Sequence, residues 1–515
     1  MSDSRTSNSL KTIGVNIFNQ ILTLGLSFVS RTVFLRVLSV DYLGISGLFG
    51  DILSMLTLAD LGFGTAMSYS MYKPLADKDY NKLAGLVTFY KKLYRIIAII
   101  ITVIGLSLVP FLKYLVNTET EIPNLTLYYI LSLANTVASY LVVYKTNVLH
   151  ADQKGYILGK YTAVFNILRS ICMIVFLILT RNYTVYLLVQ VIFTYITNFF
   201  NSHIAAKRYP YINKNVKLPK KDTKGIFNNM GSVFLYKVAG LLINATDNTL
   251  ISVLVSTTAV GYYSNYTMVV NKLVSVINIF FYGLTASIGN LIAEEGKERR
   301  YQIFEIMQSV SLIISTFCVT CTFFLMEDFI TIWLGKDYVM GQEVLWAIII
   351  NFYFSIILLP IWVFREATGL YQKTKFVMLI TAAVNVVASI IMGKIIGLAG
   401  IIFATSFSRI TTYFWYEPKL LFKEYFGKSC IVYFKGFIKG LCTTALVFLL
   451  VYLATSTLVV QNVGVFFLKA FIVGGISLLV VVMIYYRTEG FKMLLQRAVA
   501  MLKSVRGSVK RIKNK

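Results

Sequence analysis

Long apolar runs separated by short polar connections follow one another along the whole chain. Most runs reach about 20 residues, the length that an α-helix needs to cross a ~30 Å hydrocarbon layer. A hydropathy window of that length predicts about fourteen spans. The predicted spans are 12–38, 43–70, 87–115, 126–149, 157–180, 184–206, 228–253, 261–292, 303–326, 343–364, 374–396, 400–422, 434–458 and 464–487. The pattern therefore predicts an all-α polytopic membrane protein.

The composition agrees with this prediction. Hydrophobic residues make up 57% of the chain and charged residues 14%, and the mean hydropathy is +0.71. A soluble chain of 515 residues would need many more polar side chains to cover its surface. The first apolar run, from Ile13 to Leu38, is too long for a signal-peptide core and has no small-residue cleavage site. We therefore expect it to remain in the mature protein.

Topology explains the net charge of +26. Of the 49 Lys and Arg residues, about 38 fall in connections on one side of the predicted spans, about 5 on the other side and about 6 within the spans. This bias predicts that both termini and the longer loops are cytoplasmic. It also leaves no need for a nucleic-acid partner, which is another common reason for a strongly basic chain.

The distribution of spans predicts two six-helix lobes with a pseudo-twofold repeat. LSVDYLGIS at 38–46 follows the first span, and VSTTAVGYY at 255–263 follows the seventh; Ser39 matches Ser256 and Gly44 matches Gly261. Parallel repeats of this kind place the substrate at the repeat interface in several transporter folds. The predicted domains are an N-lobe (1–206), a basic cytoplasmic linker (207–227), a C-lobe (228–425), two extra helices (426–487) and a basic tail (488–515).

Two readings of the basic tail are open. Its apolar residues recur at helical spacing with basic residues between them, which predicts a helix lying on the anionic inner leaflet. The alternative is a plain solvated basic tail.

Cysteine and histidine provide no site in this sequence. Cys318 and Cys321 form a CxxC motif inside a predicted span, where small apolar packing is the expected role. No disulfide is implied. His150 and His203 fall at the cytoplasmic ends of spans and lack ligand partners at metal spacing. We therefore predict no metal, and an aspartate would have to serve if ions are coupled to transport.

The stretch SRTVFLRVLSVDYLG, residues 30–44, places two arginines in the outer part of the first span. Arg31 lies about 9 Å outward of the middle of the span, from a rise of ~1.5 Å per residue. That is too deep for easy snorkelling, so we expect Arg31 to face a polar cavity or an ionic partner. Arg36 lies near the outer interface, where an anchoring role explains it well.

The second predicted span carries two acids. Asp51 comes to about the depth of Arg31, and Asp60 lies below the midplane. At ~100° per residue the two side chains point to opposite faces. We expect Asp51 to pair with Arg31, either in a functional cavity or as a structural salt bridge within the hairpin.

The second half echoes this arrangement with the signs exchanged, because Asp247 is in span seven and Lys272 in span eight. Further cations in the predicted spans are Arg169, Arg409 and Lys237. The spans hold more basic than acidic residues, which suits an anionic substrate group such as a phosphate. A cation exporter would be expected to show the reverse balance.

Two longer segments complete the pattern: SRTVFLRVLSVDYLGISGLFGDILSMLTLADLGFGTA and FLYKVAGLLINATDNTLISVLVSTTAVGYYSNYT. With the predicted topology, they resemble the polysaccharide-transporter (Wzx-type flippase) branch of the multidrug/oligosaccharidyl-lipid/polysaccharide (MOP) exporter superfamily. The resemblance implies a bacterial inner-membrane flippase. It would move undecaprenyl-diphosphate-linked oligosaccharide from the inner to the outer leaflet for capsule, O-antigen or exopolysaccharide assembly, and would not be an enzyme.

The resemblance also implies a mechanism and roles for residues. Alternating access would carry the headgroup through a cationic cavity. Related lipid II flippases keep cavity arginines in their first span, which implies phosphate binding by Arg31 and, less directly, Arg36. The predicted substrate-binding residues are Arg31, Arg36, Arg169, Lys237, Lys272 and Arg409, and the candidates for H⁺ or Na⁺ coupling are Asp51, Asp60 and Asp247. No other cofactor is expected. Predicted partners are inner-leaflet lipids and polysaccharide polymerase machinery, with a monomeric transporter.

Two other functions compete with the flippase. A cation-coupled multidrug antiporter of the same superfamily is one, and a dye-efflux assay would distinguish it. The other is a membrane polymerase or ligase acting on lipid-linked sugars. Asp328, Asp337 and Glu343 share one short outer loop, but they show no acid–base arrangement of the kind that such an enzyme needs.

Overall fold

The computed structural model describes residues 22–57, 63–119, 121–152, 154–219, 235–236, 238–243, 245–488, 490–492 and 495. All regular secondary structure in these ranges is helical. The all-α polytopic class that the sequence predicted is therefore confirmed. The chain divides into two compact units, Met1–Ser264 and Asn265–Lys515. The predicted domain boundaries do not coincide with this division, and they remain a prediction.

The first unit contains eleven described helices and the beginning of a twelfth. They are α1 (22–37), α2 (Val40–Leu56), α3 (Phe63–Ala76), α4 (Tyr80–Ser107), α5 (Leu112–Leu115), α6 (Leu125–Tyr140), α7 (Val143–Ala151), α8 (Gly155–Thr180), α9 (Tyr183–Arg208), α10 (238–243), α11 (Asp247–Leu254) and α12 (Thr257–Tyr282), which continues into the second unit.

Besides short 3₁₀ and π segments, the second unit contains nine further α-helices of nine residues or more among the described residues. They are α13 (Thr285–Glu294), α14 (Lys297–Trp333), α15 (Gln342–Ile357), α16 (Leu359–Thr368), α17 (Tyr371–Ile396), α18 (Leu398–Thr411), α19 (Tyr413–Leu421), α20 (Ile431–Thr455) and α21 (Val463–Tyr485). α14 has 37 residues. At ~1.5 Å per residue it is longer than a ~30 Å hydrocarbon layer, so it extends beyond the layer unless strongly tilted.

Each predicted span corresponds to a helix or to consecutive helices. Among the described residues, eight helical segments are long and apolar enough to cross a membrane, and the number is ten if each of two bent helix pairs counts as one span. The predicted first and seventh spans lie partly outside the described residues. The predicted second span includes the undescribed residues 58–62, and the twelfth breaks at Thr412. The count of fourteen thus depends on how broken and partly described helices are assigned.

A proline accounts for one of the bends. α15 and α16 are inclined to each other by 42°, and Pro360 lies in the first turn of α16. Proline lacks the amide hydrogen and its ring clashes with the preceding turn, so a helix that reaches it bends or ends. The hydropathy pattern predicted one straight span here because all residues around the bend are apolar.

Two glycines allow a close crossing between α2 and α12 within the first unit. A Cβ on Gly44 would overlap the carbonyl oxygen of Thr257, and a Cβ on Gly261 would overlap the carbonyl oxygen of Val40. Each glycine thus lies against the residue one helical turn before the other glycine. The two contacts are therefore reciprocal, and they involve the two glycines that the sequence match aligned. A hydrogen bond of 2.5 Å from Thr258 to Asp41 lies at the same crossing.

Candidate functional site

The predicted cavity arginine of the first span contacts a neutral hydroxyl. Arg31 lies on α1 and is half-buried. Its Nη1 donates to the hydroxyl oxygen of Ser264 at 2.8 Å. Ser264 in turn donates to the carbonyl oxygen of Gly261 at 2.8 Å. A hydroxyl of this kind accepts from the guanidinium and donates to a carbonyl oxygen at the same time.

A tyrosine on α9 connects this arginine to a second one. The hydroxyl of Tyr186 lies beside Ser30 and within electrostatic range of both Arg31 and Arg169. Arg169 is on α8 and is also half-buried. We call these four residues the arginine cluster. Two guanidinium groups around one tyrosine can bind an anionic group, since the guanidinium fork matches phosphate oxygens and remains charged at all relevant pH values.

Aromatic rings surround the tyrosine of the arginine cluster. Tyr186 stacks on Tyr183 with a ring-centroid distance of 6.0 Å, and Phe34 contacts Tyr186 edge-on at 5.2 Å. Tyr183 also contacts Tyr42 at 5.1 Å and Tyr128 at 4.8 Å. These contacts bring α1, α2, α6 and α9 together, so packing positions the cluster.

A polar pocket lies in the same unit between α2, α6 and α9. Its volume is ≈ 260 Å³. Ser46 lines it and also lies within hydrogen-bonding range of Tyr183, so the pocket adjoins the aromatic rings. Its lining includes the neutral polar residues Ser46, Ser54, Thr57, Ser132, Asn135, Thr136 and Gln190. Hydroxyl and amide groups of this kind can both donate and accept hydrogen bonds.

Sequence reasoning missed this pocket because single Ser, Thr, Asn and Gln residues are ordinary in membrane helices. A signal was nevertheless present. Ser132, Asn135 and Thr136 are spaced three and four residues apart and therefore share one face of α6. Ser46 and Ser54 likewise lie two turns apart on α2. Helical spacing of neutral polar residues would have predicted a polar pocket.

The predicted pair between Arg31 and Asp51 is not formed among the described contacts. The carboxylate of Asp51 instead accepts a hydrogen bond from the backbone nitrogen of Asn248 at 3.1 Å. The physical reason is that the first residues of a helix have free amide hydrogens, which attract a carboxylate. Asn248 is the second residue of α11. The prediction treated the first hairpin in isolation and could not include α11.

Two of the predicted coupling acids come together. Asp51 and Asp247 both lie within electrostatic range of Tyr263 and are half-buried. These carboxylates belong to different helices, α2 and α11, and share Tyr263 as an electrostatic neighbour. Two nearby carboxylates can share a proton or bind a small cation. Asp60, the third predicted coupling acid, lies outside the described residues.

The other predicted substrate-binding cations are not joined to the arginine cluster by any described contact. Arg36 is exposed near the end of α1. Lys272 is half-buried on α12, and Arg409 is 8% exposed on α18; both belong to the second unit. Lys237 lies outside the described residues.

The second unit contains an ion pair that sequence reasoning missed. Arg365 on α16 donates to both carboxylate oxygens of Glu417 on α19, at 2.8 and 3.0 Å. Both side chains are buried. Each residue falls near the end of a predicted span, where a charge in the sequence is commonly taken for a solvated one. Only the packing of α16 on α19 pairs them.

Three other features that the sequence analysis weighed are the CxxC cysteines, metal ligands and the acids of one outer loop. Cys318 and Cys321 are free thiols. Within the described ranges no cluster of His, Cys, Asp and Glu could hold a metal ion. Asp328, one of the acids weighed for an enzyme, pairs with Lys469 at 2.6 Å.

Comparison with known proteins gives one family. A family model described as "Polysaccharide biosynthesis protein" matches residues 9–281, more than half of the chain. No curated protein matches in sequence.

Three solved structures show the same fold. The lipid II flippase MurJ, in its inward closed conformation, is 14% identical with a TM-score of 0.66, covering 92% of this chain and 98% of that chain. The bent form of the Vibrio cholerae MATE transporter VcmN is 14% identical with a TM-score of 0.53, covering 86% and 99%. A MOP superfamily transporter from Pyrococcus furiosus is 11% identical with a TM-score of 0.56, covering 80% and 95%. The fold is thus that of the MOP superfamily, as the sequence resemblance implied, and the chain belongs to the polysaccharide biosynthesis protein family.

Proposed function

We propose that this protein moves undecaprenyl-diphosphate-linked oligosaccharide repeat units from the inner to the outer leaflet of a bacterial cell membrane. The observation that carries the proposal is the arginine cluster, with Arg31 and Arg169 around Tyr186, beside a neutral polar pocket in the same unit. One region could thus hold a charged diphosphate and the other the hydroxyl groups of a sugar. The family description and the likeness to a lipid II flippase support this substrate class.

The chemistry of the substrate explains why both regions are needed. A diphosphate cannot cross hydrocarbon without compensating charges and donors, and the two guanidinium groups would supply them. The sugar hydroxyls would exchange hydrogen bonds with water for hydrogen bonds with the pocket. The polyprenyl tail would remain in the lipid while the headgroup crosses, so the tail needs no polar site in the protein.

Alternating access would then carry the headgroup across. The crossing of α2 and α12 lies at connections that are predicted to face outward. In this structure the crossing is closed, with Gly44 and Gly261 in reciprocal contact. Release on the outer side would require α2 and the beginning of α12 to separate.

The coupling ion would act at the two carboxylates near Tyr263. Protonation or Na⁺ binding at Asp51 and Asp247 would compete with the hydrogen bond from Asn248 to Asp51. That competition would link ion binding to the position of α11. The protein itself would serve as a carrier without catalysing a covalent step, as a monomer with both termini in the cytoplasm, and would pass its product to polymerase machinery.

An alanine at position 31 tests the proposal. In a cell deleted for its own flippase, we expect Arg31→Ala to lower surface polysaccharide by about tenfold or more, since a charge-assisted hydrogen bond contributes ~1.5–3 kcal/mol. Arg31→Lys should restore much of the output because it restores the charge. Immunoblotting of the membrane fraction checks that each variant is present at equal level.

Arg208→Ala is the matched control, because Arg208 is an exposed arginine at the end of α9, the helix that carries Tyr186. We expect it to leave polysaccharide output unchanged. Full output from Arg31→Ala would show that Arg31 does not contact the substrate.

A further inference from the structure

A second pocket lies in the second unit, between α14, α15, α20 and α21, and the proposed transport cycle does not use it. Its volume is ≈ 610 Å³, within the range of sites that bind small organic ligands. We call it the four-helix pocket. The ends of the four helices that line it belong to connections that the charge pattern places on the outer side. α14 is long enough to carry its last turns beyond the hydrocarbon layer.

One wall of the four-helix pocket is aromatic. Phe323 and Trp346 lie 4.4 Å apart between ring centroids. Phe448 completes the group at 5.1 Å from Phe323 and 5.7 Å from Trp346. The Trp346 side chain is 44% exposed although its neighbours hold it in place. A fixed, partly open indole offers a flat apolar surface to a ligand at low entropic cost.

The facing side is polar and contains both donors and acceptors. Asp328 accepts from the Lys469 ammonium at 2.6 Å, and Glu327 accepts from the Gln342 amide at 2.8 Å. All four residues line the pocket. Each carboxylate has further lone pairs, and the lysine has further hydrogens. These groups are positioned by their own pairing and can still bind a ligand.

We propose that the four-helix pocket binds the pyranose ring of an uncharged sugar. One face of a pyranose presents C–H groups that pack against an aromatic ring, while its hydroxyls both donate and accept hydrogen bonds at the ring edge. The aromatic wall and the polar side match these two surfaces. A hydrocarbon chain would leave the remaining lone pairs and hydrogens of these groups without hydrogen-bond partners.

The charge of the pocket separates this site from the arginine cluster. Glu327 and Asp328 together exceed the single positive charge of Lys469, so the lining is net negative and repels a diphosphate. The site would therefore take the sugar part of a molecule whose phosphates lie elsewhere, or a sugar without phosphate. The inference stands on this geometry and goes beyond the proposed transport function.

Sugar binding can be measured directly on the full-length protein in lipid nanodiscs. Saturation-transfer difference NMR would use a panel of methyl glycosides of glucose, galactose and N-acetylglucosamine as probes. We expect transfer to the ring protons of at least one glycoside. Trp346→Ala should weaken its binding about tenfold, the effect of losing one aromatic contact of about 1.4 kcal/mol. Trp346→Phe should retain most of the binding.

Trp415→Ala is the matched control, because Trp415 is 53% exposed on α19 and does not line the pocket. It should bind as the wild type does. Glu327→Gln, which keeps the side-chain shape, should weaken binding without lowering the thermal midpoint. Displacement of the glycoside by the same sugar on farnesyl diphosphate would assign a lipid-linked source, and displacement only by a free oligosaccharide would assign a free glycan.

Three results would overturn the proposal. One is the absence of transfer to every glycoside of the panel. Another is equal transfer in Trp346→Ala and in the wild type, which would place the binding elsewhere. The third is displacement of the glycoside by an equal concentration of tetraethylammonium, which would show that the pocket selects organic cations. None of these results would bear on the arginine cluster, whose test measures polysaccharide output.

Discussion

At the scale of single residues, the structure separates charged side chains by the partners they have. Arg31 donates to the hydroxyl of Ser264 on another helix, and Arg365 donates to both oxygens of the buried Glu417 carboxylate. A sequence shows the charge and its depth but not the partner. Arg31 and Arg169 could therefore be predicted as intramembrane cations, while their shared tyrosine could not. The same limit hid Glu417, whose partner comes from another helix.

Removing one member of the buried ion pair should lower stability much more than removing both members. Removing Arg365 alone, in Arg365→Met, leaves the Glu417 carboxylate buried without compensation, and we expect a loss of ~3–5 kcal/mol in the free energy of unfolding. Arg365→Met with Glu417→Leu should recover most of this loss, because no charge then remains buried. The midpoint of thermal unfolding, measured on each purified variant, ranks the variants by stability.

The exposed pair of Lys373 and Glu424 provides the control, since the side chain of Lys373 is 57% exposed. Lys373→Met should change the midpoint little, because water replaces the lost partner. A midpoint for Arg365→Met as high as that for Lys373→Met would contradict the assigned role of the buried pair.

At the scale of helices, hydrophobic patterning predicted where helices form but not where they break. The apolar period persists through the bend at Pro360, so hydropathy alone joins α15 and α16. The helical spacing of neutral polar residues on α6 indicated a polar pocket. The prediction considered only charged residues and therefore missed it. The two glycines that the sequence match aligned, Gly44 and Gly261, lie in one reciprocal crossing, and the repeat itself stays a prediction.

That crossing makes a second prediction. Gly44→Ala should lower the thermal midpoint, because the added methyl group would overlap a backbone carbonyl that cannot rotate away; overpacking of this kind costs ~1–3 kcal/mol. Gly261→Ala should do the same from the other side. The double variant should lose less than the sum, since both substitutions separate the same two helices.

Gly25→Ala is the corresponding control, because a Cβ on Gly25 of α1 meets nothing within 4 Å. It should leave the midpoint unchanged or raise it through the better helix propensity of alanine. Equal stability of Gly44→Ala and Gly25→Ala would show that α2 and α12 do not cross as closely as described.

At the scale of the whole molecule, the fold could be predicted from composition, hydropathy and charge bias, which depend on the membrane rather than on detailed packing. The fold was found again at 11–14% identity in flippases and transporters. The positive balance of charge inside the spans and the resemblance of two segments to a known family narrowed the function further. The polar pocket had a sequence signal in the helical spacing on α6. The four-helix pocket combines side chains from four helices and became visible only in the structure.

The central claim is that Arg31 and Arg169 bind one diphosphate together. Binding of undecaprenyl diphosphate to the purified full-length protein, measured by native mass spectrometry for both single alanine variants and the double variant, tests it most directly. Two arginines on one ligand should give single losses of about tenfold or more each, and a double loss smaller than their product. Undiminished binding by the double variant would contradict the claim.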